Sequence, residues 1–172
     1  MGLREATSEL HRKAEQMEFN QRMMNNKLSI VEYSRYLMSQ YYIFDTIEKY
    51  NVLPESGLAR SGKVLDDLNE LGETIIMISP KTQEYVDYLI ALDNDTIQPH
   101  IYLNYLALVF GGQLIKTKIH GSGRMYDFDN MHASAAAIRR IQNDEWADEV
   151  NKGFEFIINI LDELQNDTGS NS

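Results

Sequence analysis

The chain has 172 residues, 43% of them hydrophobic and 24% charged, which suits one folded domain with a real core and excludes a disordered polymer. A formal charge of -10 excludes a nucleic-acid backbone as the main partner, because such binding rests on Lys and Arg releasing counterions from phosphates. The lack of cysteine excludes disulfides, thiolate metal sites and a cysteine nucleophile, and it suits a reducing cytosol.

The opening MGLREATSEL is not a basic-then-apolar leader, and no apolar run reaches membrane-spanning length. A cytoplasmic protein without a membrane anchor is therefore expected. Residues 3–24 place Leu3, Ala6, Leu10, Ala14 and Met17 at helical spacing and predict one amphipathic helix. Ser29 and Glu32 form a capping-box pattern ahead of an aromatic helix over 30–50, which carries Tyr33, Tyr36, Leu37, Tyr41 and Phe44. After a loop at Pro54 and Gly57, Val64, Leu65, Leu68 and Leu71 predict a short helix that Gly72 can end in a left-handed cap. Residues 74–78, TIIMI, are ambiguous by periodicity alone. Ser79-Pro80 opens the next helix, with Tyr85, Tyr88, Leu89 and Leu92 on its inner face, and 93–96 is a turn.

A fifth helix is predicted over 99–119, running through Gly111-Gly112. Residues 120–130 then read as polar and flexible, 133–142 as a short helix, and 145–164 as a final helix with Trp146, Val150, Phe154, Ile157 and Leu161 in step. The expected architecture is an all-α single-domain bundle of seven helices over residues 1–165, with 166–172 as a flexible tail.

Two glycines inside a helix cost about 2 kcal/mol relative to alanines, so something must offset them. They permit either a tightly crossing helix or close backbone approach to a flat ligand. His11 lies at the margin of the first apolar stripe, where an imidazole either faces a cavity or bonds a backbone carbonyl. His100, His120 and His132 carry no comparable signal. The paired Glu-x-x-His motifs of di-metal bundles are absent, as are the P-loop, dinucleotide and hydrolase motifs.

At these residues the chain resembles the heme oxygenase family. Leu3-Arg4-Glu5-Ala6-Thr7, His11 and Ala14-Glu15 are similar to the family's proximal helix. Tyr102, Tyr105-Leu106, Gly111-Gly112-Gln113 and Lys116 are similar to its distal helix. Tyr36-Leu37, Gln40-Tyr41-Tyr42 and the run from Asn159 through Leu164 also fall where the family has similar segments.

The resemblance implies a heme-oxygenase-like fold and heme as both substrate and prosthetic group. It also implies cleavage to biliverdin, CO and iron with O2 and electrons from a ferredoxin or other reductase. Carried over, His11 is the axial iron ligand, Glu15 its orienting neighbour, and Gly111 and Gly112 the macrocycle contacts. Arg4, Tyr102, and Arg139 or Arg140 are the groups toward the propionates; guanidinium suits a carboxylate because it bonds bidentately. Arg4, Arg12, Lys13, Lys116, Lys118 and Arg124 are candidates for a basic docking patch.

One departure stands out. Where the family has Gly-Asp-x-x-Gly-Gly, this chain has Ala107, Leu108, Val109, Phe110, Gly111 and Gly112. The aspartate that anchors ordered water in the family is Leu108, so retained turnover requires another polar group, with Asn104 and Gln113 as candidates. A heme-binding protein without turnover, used for storage, delivery or sensing, is the alternative.

Overall fold

A computed structural model describes residues 1–170, with side-chain surroundings through residue 167. Among the described residues there are ten α-helices and no strand: α1 Leu3–Ala6, α2 Ser8–Gln16, α3 Glu18–Met24, α4 Ile30–Glu48, α5 Ser61–Glu70, α6 Pro80–Ile90, α7 Gln98–Val109, α8 Gly111–Ile115, α9 Met131–Ile141 and α10 Ala147–Ser170. The all-α expectation holds, and the ambiguous 74–78 stretch is an irregular loop that exposes Ile75 and Met77.

The helix count exceeds seven because two expected helices are broken. Residues 3–24 bend at Thr7, whose Oγ1 donates to the Leu3 carbonyl at 2.9 Å, and at Met17, where the backbone is extended. Beyond Met17 the side-chain amides of Asn20 and Gln21 donate to the Ala14 and Glu15 carbonyls at 2.9 and 2.8 Å. They satisfy orphan carbonyls at the end of α2, so a tight corner replaces a continuous rod. The expected 99–119 helix breaks at Phe110, ahead of the diglycine. At the other end, α10 continues past the expected stop at Leu164.

Residues 120–130, read from composition as a polar linker, contain a packed turn. A 3-10 turn at Arg124–Tyr126 buries Met125 and Tyr126 completely, and Gly123 enters it in the left-handed region at φ 66°. The Asp67 carboxylate accepts from the backbone N–H groups of Arg124 and Met125 at 2.8 and 2.9 Å. From the opposite side, the fully buried Arg60 donates to the carbonyls of Met125 and Asp127. Two charged side chains thus hold a segment whose composition alone reads as linker.

Local signals elsewhere give the structures they specify. The Ser29–Glu32 capping box forms, and Glu32 also pairs with Arg22, which ties α3 to α4. Gly72, at φ 88°, ends α5; its N–H donates to the Asn69 carbonyl while the Glu73 N–H donates to the Leu68 carbonyl.

The main core lies between α3, α4, α5, α6, α7 and α10 and includes Phe19, Phe44, Leu68, Leu89, Ile101 and Tyr105. Each such side chain contributes about 1.5–3 kcal/mol by burial. The spine is α10, which packs on α2, α3, α4, α6 and α7. Its Gly153 sets how near α7 can come, because an added Cβ would lie 2.3 Å from Leu103 Cδ2.

Candidate functional site

Both helices expected to carry the site are mounted on α10. Just ahead of it, the Asp144 carboxylate accepts from the Leu3 N–H at 2.9 Å and caps α1, while Asn151 Nδ2 donates to the Ala6 carbonyl at 3.2 Å. These bonds place Arg4 and the start of α2. One helical turn into α2, His11 stacks on Phe154 of α10 with ring centroids 5.6 Å apart. The imidazole is 56% exposed, so it is available to a ligand.

Glu15 lies one turn beyond His11 on α2, and its Oε1 is 2.9 Å from His11 Nε2. A carboxylate at Nε2 fixes the proton there and leaves the lone pair of Nδ1 as a metal donor.

Phe154 belongs to a second apolar cluster with Leu3, Leu103, Val150, Tyr102 and Trp146. This cluster connects the His11 side to α7. Tyr102 is half-buried, its ring at 6.5 Å and edge-on to Trp146. Burial pushes its hydroxyl up from the ordinary value, and the nearby positive charges of Arg4 and Arg139 oppose that shift. The two guanidinium groups therefore share one neighbourhood at Tyr102 although they are far apart in sequence. Arg139 also lies over the Phe110 ring at 5.7 Å, and His132 approaches the same ring at 5.8 Å. Arg139 and Arg140 are both exposed on this helix, and of the two it is Arg139 that meets Phe110 and acts on Tyr102.

The two glycines serve different ends. Gly112 is buried, and an added Cβ would lie 2.4 Å from Tyr126 Cδ1, so its missing side chain makes room for the 3-10 turn. This is the crossing explanation for a glycine at position 112. Gly111 is exposed, with nothing within 4 Å of an added Cβ. It lies on a stripe with Ala107, Phe110 and Leu114, all exposed, with Phe110 at 39% and Leu114 at 58%. Uncovered apolar side chains in this pattern mark a binding face.

Leu108 is 7% exposed and packs into the main core. The two polar candidates to replace an aspartate are engaged elsewhere. Asn104 Nδ2 donates to the Tyr85 hydroxyl and the His100 carbonyl at 3.0 and 2.9 Å, and Gln113 Nε2 donates to the Tyr126 carbonyl at 2.6 Å. Within the basic set, Lys116 is paired with Asp127. Arg12 and Lys13 are exposed on α2.

Sequence reasoning passed over Phe154, Gly153, Phe110 and His100. The first three are apolar or small residues whose meaning depends on what crosses them. His100 did leave a signal: with Asn104 it forms an i, i+4 polar pair on an otherwise apolar helix, which is the pattern of a buried hydrogen-bonded stripe.

Known proteins share this fold. The heme oxygenase from Leptospira interrogans is 25% identical, with 94% of this chain and 97% of that one covered at a TM-score of 0.81. Heme oxygenase-1 from the cyanobacterium Synechocystis sp. PCC6803, solved in complex with heme, is 22% identical over 96% of this chain and 91% of that one, at a TM-score of 0.84. Heme oxygenase-2 from Synechocystis sp. PCC 6803, solved with heme and NO, is 21% identical over 95% of this chain and 84% of that one, at a TM-score of 0.83. Among curated proteins none matches the chain's sequence significantly. The heme oxygenase family model matches residues 1–162, nearly the whole fold, and the chain therefore belongs to the heme oxygenase family.

Proposed function

We propose that the chain binds heme between α2 and the α7–α8 break and degrades it oxidatively. One set of contacts supports this most: His11 stacks on Phe154, which shares an apolar cluster with Tyr102, the charges of Arg4 and Arg139 act on Tyr102, and Arg139 lies over Phe110 next to the open side of Gly111. Together these residues offer a nitrogen donor, an apolar face without a Cβ, and two guanidinium groups for a pair of carboxylates. Heme has a metal centre, a flat apolar ring and two propionates, so the residues fit it.

His11 would offer a ring nitrogen to the iron, while Glu15, at the other ring nitrogen, would accept its proton and increase the ligand's basicity. Arg4 and Arg139 hold the propionates with charge-assisted bonds, and the Tyr102 hydroxyl, kept protonated, adds a donor. Gly111 lets the helix backbone approach the ring plane, and Ala107, Phe110 and Leu114 keep that face dry. When bound, heme supplies the iron that activates O2 and is itself the substrate, opened to biliverdin with release of CO and iron. Electrons come from a ferredoxin or other reductase, for which exposed Arg12 and Lys13 on α2 provide positive charge.

A second reading, heme carriage without turnover, is favoured by Leu108. An apolar side chain in the core holds no water, and the amides of Asn104 and Gln113 donate to other partners. Turnover separates the two readings. The hemin-loaded protein is given a reductant and oxygen, and the pigment and CO are measured. Biliverdin with stoichiometric CO supports the oxygenase; a stable complex that yields neither supports the carrier.

A further inference from the structure

His100 is fully buried and touches none of the residues assigned to heme. Its Nδ1 is 2.7 Å from the Tyr85 hydroxyl and its Nε2 is 2.9 Å from Glu149 Oε1. The neighbours fix where the protons are. Because Asn104 Nδ2 donates to the Tyr85 oxygen at 3.0 Å, the Tyr85 proton is free to go to His100 Nδ1. The ring's own proton then stands on Nε2 and is donated to the Glu149 carboxylate, which also accepts from the Tyr88 hydroxyl. Burial pushes both tyrosines up, so both hydroxyls keep their protons.

The chain of bonds crosses three helices: Tyr85 and Tyr88 on α6, His100 and Asn104 on α7, and Glu149 on α10. It sits beside a close crossing of α7 and α10, where an added Cβ at Gly153 would meet Leu103 Cδ2 at 2.3 Å and His100 Nδ1 at 3.1 Å. Asn104 is one turn before Leu108, and Phe154, which carries the His11 stack, directly follows Gly153. Apolar contact at a glycine is not directional and would let α7 slide or rotate on α10. Hydrogen bonds with defined donors and acceptors prevent that.

We propose that His100 is a positioning residue: in its neutral form it bridges Tyr85 and Glu149 and holds α7 in one register on α10, so that Gly111 and His11 keep a fixed spacing. Only the effect on heme rests on the function proposed above; the locking of α7 does not.

The arrangement depends on pH. Burial lowers the His100 pKa from its ordinary 6.5, the Glu149 carboxylate opposes this, and Lys152, with its Nζ 5.3 Å from the Tyr88 ring centre, adds to the lowering. For Glu149, burial pushes upward but the bonds from Tyr88 and His100 outweigh it, and its pKa lies below the ordinary value. A second proton on His100 would point Nδ1–H at an oxygen that already accepts from Asn104 and would displace the Tyr85 proton. Because the folded pKa is below the unfolded one, the unfolded chain takes up more protons on acidification. The His100 contribution is whole above 6.5 and is lost as pH falls through the lowered value.

The test is amide hydrogen exchange on the heme-free full chain at pH 7.5 and 5.5, corrected for intrinsic rates, followed by hemin titration at both values. In the wild type, α7 and α8 amides should exchange about fivefold faster at the lower pH, the factor that one lost buried hydrogen bond represents, while α5 is unchanged. His100→Gln keeps one donor and one acceptor and does not titrate, so it should protect α7 equally at both pH values; His100→Leu should leave α7 fast at both. Hemin affinity should weaken on acidification more in the wild type than in His100→Gln. In the unaltered protein, 15N NMR at pH 7.5 should show the Nε2–H tautomer. Exchange in α7 that ignores pH, or an Nδ1–H tautomer, overturns the positioning role. Failure of every variant to bind hemin while the exchange pattern persists removes the heme reading and supports the positioning one.

Discussion

Along α7 and α8, the face against α6 and α10 and the face carrying Ala107 and Gly111 differ in what they leave unmet. Toward α10, His100, Asn104 and Tyr85 find hydrogen-bond partners at 2.7–3.0 Å, and Leu103 fills the space that Gly153 vacates. On the other face Phe110 and Leu114 are exposed, and Gly111 has nothing within 4 Å of its missing side chain. The first face is specified by its neighbours and serves the fold. The second gives up apolar burial that a stable helix would otherwise use, and such a concession marks the place of a ligand.

If that division is right, glycines on the two sides respond in opposite ways. The largest stability effect is expected for Gly153→Ala, whose Cβ would meet Leu103 at 2.3 Å and His100 at 3.1 Å, with Gly112→Ala against Tyr126 close behind. Overpacking of this kind costs about 1–3 kcal/mol, or a fall in Tm of roughly 3–10 °C by calorimetry. Leu108→Asp should be comparably harmful to the heme-free protein, because an unpaired carboxylate at a 7% exposed position must be desolvated or protonated. If water ordering limits the chemistry, the same variant should raise the biliverdin yield per heme, and an unchanged yield would locate the limit elsewhere.

Intermediate effects are expected at the propionate edge. Arg139→Ala should weaken hemin binding about tenfold, the value of one charge-assisted bond, whereas Arg140→Ala should leave the titration unchanged. Equal losses would show that the Phe110 contact does not mark the propionate side. The smallest effect on stability is expected for Gly111→Ala. It should leave stability unchanged or raise it by up to about 1 kcal/mol of helix propensity, yet hemin should dissociate faster because the backbone is held off the ring. A large fall in Tm there would mean that Gly111 packs against protein.

Much of the fold was legible because its signals are local. The Ser29–Glu32 box, Gly72 and Pro80 each act within a few residues, and the structure places them as the sequence predicts. The breaks at Met17 and Phe110 were not legible, since they depend on Asn20 and Gln21 folding back on α2 and on Tyr126 lying against Gly112. The packing of 120–130 was hidden for the same reason: Asp67 and Arg60, which hold it, are more than 50 residues away.

At the candidate site, a histidine followed by a glutamate at i+4 and an unusual diglycine were visible as types and spacings. Their separate duties were not. Only the fold shows that Gly112 meets Tyr126 and Gly111 meets open space, or that Arg139 rather than Arg140 reaches Phe110 and Tyr102. The spacing of His100 and Asn104 was visible, but its meaning was not, because the partners of His100 lie on α6 and α10.

The most direct test of the central claim is the absorption and electron paramagnetic resonance spectrum of the ferric heme complex, recorded for the wild type and for His11→Ala before and after added imidazole. A heme held at His11 on this surface gives one bound heme per chain with histidine-ligated iron in the wild type, loss of that signature in the variant, and its return with imidazole. An identical spectrum in His11→Ala would place the heme, or its ligand, elsewhere in the molecule.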